Sequence, residues 1–258
     1  MDKIWSNLIR NIQPPRVVTI IGGGGKTSLM YYLLTVLKAG GFNAVGTTTT
    51  KLSSQPLSGN FVQVASVEEA YKAVQQARGI QDHVTLVSSE EGNNITGKMV
   101  GIPGEWIDDL ASRCRDVVFV VEGDGSAGKS LKGHLGHEPV IPSSSSLVIP
   151  VIGIDSMEAR LNSQNVHRPA RICELTGAIP GSLITTKMIS QLLFHPQGYL
   201  RNCSEHNLIV PLINKVESVV QGQQAEELGR EILANKHPQV GGVIVGSLRQ
   251  EEGLWLQV

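Results

Sequence analysis

The run Gly22-Gly23-Gly24-Gly25-Lys26-Thr27-Ser28 carries the clearest chemistry in the chain. Successive glycines let the backbone turn tightly and aim N–H groups at one anion. A helix opening near Thr27 adds the positive end of its dipole. Lys26 then reaches the outer phosphates of a nucleoside triphosphate, ATP or GTP, while the Thr27 hydroxyl binds Mg²⁺ and Ser28 extends the cradle. The apolar runs on both sides supply the strand–loop–helix setting that this chemistry needs. The pattern G-x-x-G-K-T fits from Gly22, whereas the longer G-x-x-x-x-G-K-[ST] would need glycine at position 20, where Ile20 stands.

A triphosphate site also needs an acid, for Mg²⁺ or for the attacking water. "DVVFVVEGDG" delivers Glu122 and Asp124 to a strand end, so both are candidates for catalysis and, with Thr27, for the metal. Glu122 directly ends the apolar run and is expected nearer the γ-phosphate. "NAVGTTTTK" ends another strand with Thr48, Thr49 and Lys51, which would face the nucleotide if that strand neighbours the first. "LINKVE" places Asn214, Lys215 and Glu217 at a late strand end. It is similar to the N-K-x-D motif that reads guanine in GTPases, with glutamate in the aspartate place. "GSAGKSLKGHLGHEP" reads as a loop closing over substrate, and His134 and His137 in it could pair on a metal or stand solvated.

These groups are positioned by short β-branched runs alternating with helical spacing. Strands are expected at Val17–Ile21, Ala44–Thr48, Phe61–Val64, His83–Ser88, Val117–Val121, Leu147–Ile152, Leu208–Ile213 and Val240–Val245. Helices are expected at Ser28–Ala39, Val67–Ala77, Glu105–Ser112 and Ala225–Ala234. Unbroken apolar strands between helices predict an α/β fold, a doubly wound and mostly parallel sheet of P-loop NTPase type. Residues 155–206 break the rhythm and read as a small helical and loop insertion at the sheet's edge within a single domain spanning 1–258.

The 258 residues are 41% hydrophobic, enough for a sizeable core, and the net charge is −1. That balance gives no basic footprint for nucleic acid and no attraction to an anionic membrane. No apolar run approaches membrane-spanning length, and Met1–Arg10 lacks the apolar stretch of a secretory signal. The three cysteines are odd in number, far apart and without metal-ligand spacing, as expected of reduced thiols in a cytoplasmic protein.

Taken together, "IIGGGGKTS", "TTTTKL", "VEGDGSAGKSLKGH", "HEPVIP", "VHRP" and "LINKVE" resemble the YqeC family over residues 15 to 250 or so. The resemblance implies an accessory protein of selenium-dependent molybdenum hydroxylases, with the hydroxylase or its cofactor as partner. It hands over no reaction. The residues add a Mg²⁺-dependent nucleoside triphosphatase, or a phosphoryl- or nucleotidyl-transferring enzyme. One alternative is a nucleotide-switched chaperone or carrier. Another is an ATP-dependent ligase, because Mur-type ligases share the short glycine loop. His167 and Arg168 in "VHRP" could bind substrate or simply start a helix, since Pro169 suits a first turn.

Overall fold

The computed structural model describes residues 1–14, 16–53, 60–80, 82–89 and 98–257, without the side chains of residues 51–53 and 98. The chain opens with α1 (Asp2–Arg10), β1 (Arg16–Gly22), α2 (Lys26–Ala39), β2 (Asn43–Thr48), β3 (Lys51–Ser53), β4 (Asn60–Val64), α3 (Val67–Ala77), β5 (Val84–Ser88), β6 (Lys98–Val100), α4 (Gly104–Arg113) and β7 (Val117–Glu122). It continues with β8 (Ser145–Gly153), α5 (Pro169–Thr176), α6 (Thr186–Phe194), β9 (Leu208–Ile209), β10 (Leu212–Asn214), α7 (Val219–Ala234), β11 (Val243–Ser247) and β12 (Glu252–Leu256).

Among the described residues the main sheet runs β12-β11-β10-β8-β1-β7-β2-β5-β4, with β9 beside β8. Every pairing in it is parallel except β11 with β12. The α/β, doubly wound expectation therefore holds. The condition that β2 neighbours β1 is not met: β7 is inserted between them. Five consecutive apolar residues let β7 be buried on both faces, which is what a central strand requires.

Successive residues of β1 face opposite sides. Val18 and Ile20 pack under α1 and α2, beside Trp5, Leu33 and Leu37. Val17 packs on the other face with α3 and α4, and Ile21 on that same face with residues of α5, α6 and α7. Residues 155–206 were expected at the sheet's edge, but Ile172, Ile184 and Leu192 share a cluster with Ile21, Val148 and Ile213 of the central strands. Their apolar residues lie among Pro and Gly turns, so sequence spacing alone does not display the common face.

Helix starts follow local chemistry. Ser66 caps α3 by accepting from Glu69 N, with Glu68 and Glu69 in the first turn. Ser218 caps α7 in the same way, which starts that helix at Val219 rather than at Ala225. Val219 and Val220 at its start are exposed and belong to no apolar stripe. The expected strand Leu208–Ile213 divides at Val210-Pro211, where proline supplies no N–H. β11 starts at Val243, after Gly241-Gly242, three residues later than expected.

Candidate functional site

The loop between β1 and α2 lies at the carboxyl end of the sheet, where open α/β folds bind ligands. Its glycines are required by contact as well as by turning. Gly24 has φ +91°, and a Cβ there would come within 2.4 Å of Gly153 N; at Gly23 a Cβ would meet Lys129 O at 2.6 Å. The N–H groups of Gly22, Gly23 and Gly24 are engaged, by the Asp124 carboxylate, Val151 O and Lys129 O respectively. The open part of the cradle is thus Gly25 and the first turn of α2, whose N–H groups have no partner within the helix. Gly22 and Gly23 shape the loop from behind, and neither lines the cavity in front of it.

That cavity measures about 880 Å³. Its lining includes Gly24 to Ser28, Thr50, Glu122, the 125–129 loop, Glu138, His167, Arg168 and Lys215. Lys26 is buried, and its ammonium donates to Gly22 O at 2.8 Å. It lies 3.3 Å from Asp124 and 3.6 Å from Glu122. Thr27 donates its hydroxyl to Glu122 at 2.7 Å. Burial raises the Glu122 pKa, and Lys26 and Thr27 oppose that rise.

Asp124 is fully buried and does not line the cavity. Besides Gly22 N and Lys26, it meets Lys132 at 3.4 Å and His134 Nε2 at 2.5 Å. Burial alone would raise its pKa, but Lys26, the His134 hydrogen bond and Lys132 prevail and hold it well below the usual carboxylate range. His134 is buried as well, and burial lowers its pKa against the pull of Asp124. Its Nδ1 has no hydrogen-bond partner among the described residues, so the neutral ring carries its proton on Nε2, facing Asp124. His137 is exposed, and the two histidines do not act as a pair. Among the described residues no group of three or more His, Cys, Asp or Glu could hold a metal.

Thr48 donates to Glu122 O and so ties β2 to β7. Among the described residues the Thr49 hydroxyl is buried without a partner, and Thr50 lines the cavity. The backbone of Lys51 begins β3, and its side chain lies outside the described residues.

A second cavity of about 640 Å³ shares Gly24, Gly25, Ser28 and Lys215 with the first. Asn214 closes its inner end: Nδ2 donates to Gly24 O at 2.7 Å, and Oδ1 accepts from Leu248 N at 3.0 Å. Lys215 has φ +68° and bonds Ser130 and Asp155. Glu217 is exposed on the cavity's rim. Two contributors were absent from the sequence reading. Asp155 follows an apolar strand, the same signal that marked Glu122. Tyr199, whose hydroxyl accepts from Lys132 N, is preceded by no pattern that would mark it.

A strand–glycine loop–helix with a buried lysine and a strand-end acid on the next strand defines an α/β protein of the P-loop type. Residues 18–170 match the family described as YqeC protein. The Escherichia coli (strain K12) protein named "Uncharacterized protein YqeC" is 34% identical over 208 residues, which are 78% of this chain and 76% of that one. The chain belongs to the YqeC family. It also aligns with the structure of HypB from Helicobacter pylori in complex with nickel, over 96% of this chain and 84% of that one, at 8% identity and a TM-score of 0.38. That likeness is too distant to carry a function.

Proposed function

We propose that this protein binds a nucleoside triphosphate with Mg²⁺ and hydrolyses it or transfers a phosphoryl or nucleotidyl group. The observation that carries the reading is the Thr27 hydroxyl on the Glu122 carboxylate beside the Lys26 ammonium, at the mouth of the cavity. Thr27 and Glu122 suit Mg²⁺, which takes hard oxygen ligands from one or two side chains and completes its shell with water and phosphate oxygens. When bound, the ion would neutralise charge on the β- and γ-phosphates. The first turn of α2 would bind phosphate oxygens, and Lys26 would leave Gly22 O to meet them. Glu122 is the carboxylate for the metal or the attacking water in this reading. Asp124 is a positioning residue that holds Gly22 N and Lys26.

The base would occupy the second cavity, with Glu217 accepting from guanine and Asn214 holding the loop to Leu248. We read residues 1–258 as one domain acting in the cytoplasm, a setting supported by three free cysteines. No helix among the described residues is long and apolar enough to cross a membrane. Family membership supports a role in maturing a selenium-dependent molybdenum hydroxylase or its cofactor. A nucleotide-switched carrier is the second reading, favoured by the ion pairs that join Lys26 through Asp124 to Lys132. Calorimetric titration with ATP and GTP, with and without Mg²⁺, tests the proposal. Mg²⁺-dependent binding of at least one is expected, and binding of neither would end it. Turnover with nucleotide and Mg²⁺ alone supports the enzyme, and turnover only with a partner protein supports the switch.

A further inference from the structure

The cavity at the P-loop is larger than a triphosphate chain requires. At about 880 Å³ it falls within the roughly 300–1,000 Å³ that holds a whole small molecule. A base would have its own chamber of about 640 Å³. Beyond the P-loop the lining continues through Lys129, Glu138, His167 and Arg168.

Arg168 sits at the start of α5 with φ 59° and ψ 62°, a left-handed conformation unusual for a residue with a side chain. Its guanidinium is gripped by the Glu138 carboxylate. The fully buried Lys132 holds that same carboxylate at 3.0 Å. A guanidinium has five N–H donors in a planar fork. Glu138 and Gly133 O engage only part of them, and the group is pinned where it lines the cavity. The His167 backbone is fixed against residues 131 and 133, yet its ring makes no hydrogen bond among the described residues. Burial, then Arg168, Lys132 and Lys26, lower its pKa and keep it neutral near pH 7. His167 and the P-loop Lys26 line the same cavity. Lys129 has no carboxylate partner among the described residues; it rests on Gln164 O.

We propose that this wall is a subsite for the oxyanion of a second substrate, a small phosphate- or carboxylate-bearing molecule, held by Arg168 and Lys129 with the His167 ring as a hydrogen-bonding partner. The inference rests on the triphosphate reading of the neighbouring loop. A fixed guanidinium fork suits an oxyanion because it can give two parallel N–H bonds. The open imidazole nitrogen can then meet a hydroxyl or a phosphate oxygen beside it.

The test uses the full chain saturated with Mg²⁺ and a non-hydrolysable triphosphate analogue, which fills the P-loop. Inorganic phosphate is titrated in one arm and followed by ³¹P line broadening. Malonate is titrated in the other and followed by saturation-transfer NMR. One of the two anions should bind the loaded wild type, and which one binds identifies the oxyanion. Arg168→Gln should weaken that binding at least tenfold and His167→Gln about threefold, while affinity for the analogue stays within twofold in both. Should Arg168→Gln fail to fold, Arg168→Lys keeps the charge facing Glu138 and loses the fork, and the same tenfold loss is expected. Binding of neither anion to the loaded wild type, or undiminished binding by the Arg168 variant, overturns the subsite. If the analogue itself does not bind, the triphosphate reading fails instead. The subsite is then judged on the unloaded protein by the same dependence on Arg168.

Discussion

Lys26 stands between two acids that differ in their surroundings, and that difference separates their roles. Its ammonium is the nearest cation to both Glu122 and Asp124 in a buried setting. Lys26→Ala should therefore do two things. Triphosphate affinity should fall at least tenfold, about 1.4 kcal/mol. The nucleotide-free protein should also lose stability, by roughly 3 kcal/mol, since removing one partner leaves buried charge uncompensated. Calorimetry and urea unfolding measure the two effects, and unchanged stability would contradict the buried ion pairs. Glu122 already resists ionisation because it is buried, so a neutral isostere is well tolerated. Glu122→Gln should bind nucleotide, unfold near the wild-type temperature and lose turnover about a hundredfold or more, the scale of a lost general base. Asp124→Asn places an amide donor among Gly22 N–H, Lys26 and Lys132, and should lower the melting temperature far more than Glu122→Gln. If Asp124→Asn kept its stability and lost only turnover, the two assignments would exchange.

The turn from β10 into α7 carries the base reading. Asn214 there is engaged at both ends of its amide by Gly24 and Leu248, whereas among the described residues the Glu217 carboxylate is paired with Arg249 at 3.9 Å. An open carboxylate on the cavity rim can accept from N1–H and N2–H of guanine, and adenine has no donor at N1. GTP should bind more tightly than ATP, and Glu217→Ala should erase the difference while leaving the ATP affinity within twofold. A wild type that prefers ATP would end the guanine reading. Elements of this kind were legible in sequence because their signals are local. The glycine run between an apolar strand and an apolar helix, the Val67–Ala77 helix and the strand-end acid at Glu122 each follow from a few neighbouring residues. Strand order was not legible, since β7 reaches its place between β1 and β2 through pairings of residues as distant in sequence as Arg16 with Val118 and Asn43 with Val117. Nor was the fate of Asp124. Its burial depends on Lys132 and His134 folding back over the loop, and on Tyr199 closing from a distant segment. The short helices α1 and α6 and the edge strand β12 fell below the periodicity that a sequence window resolves, and of α5 the sequence marked only its start at Pro169. They are held by tertiary packing, as with Trp5 and Ile9 of α1 against α2.

A line of alternating charge crosses the fold. Lys26 on α2, Asp124 after β7, Lys132 and Glu138 on the long loop, and Arg168 at α5 are each paired with the next. Drawing Lys26 toward phosphates would loosen its first link, to Asp124. The same line makes stability depend on pH through His134. Its native pKa is lowered, chiefly by burial, with Lys132 adding to the effect and Asp124 opposing it. Protonation would put a second N–H on Nδ1, which has no acceptor among the described residues. In the unfolded chain the ring titrates near 6.5. Below about that pH the unfolded state takes up a proton that the native state refuses. Stability is therefore complete above the unfolded value and is lost as pH falls toward the native one, with a slope of up to about 1.4 kcal/mol per pH unit for one proton. Glu122 works in the opposite sense, because its raised native pKa favours the folded state as acid is added. Asp124, with its depressed pKa, is lost only at lower pH, below about 3.9. A variant lacking only the imidazole separates these contributions. Urea unfolding between pH 7.5 and 5 should show the wild type losing stability more steeply than His134→Gln, whatever their absolute difference. Parallel pH profiles for the two proteins would mean that His134 is not held neutral in the fold.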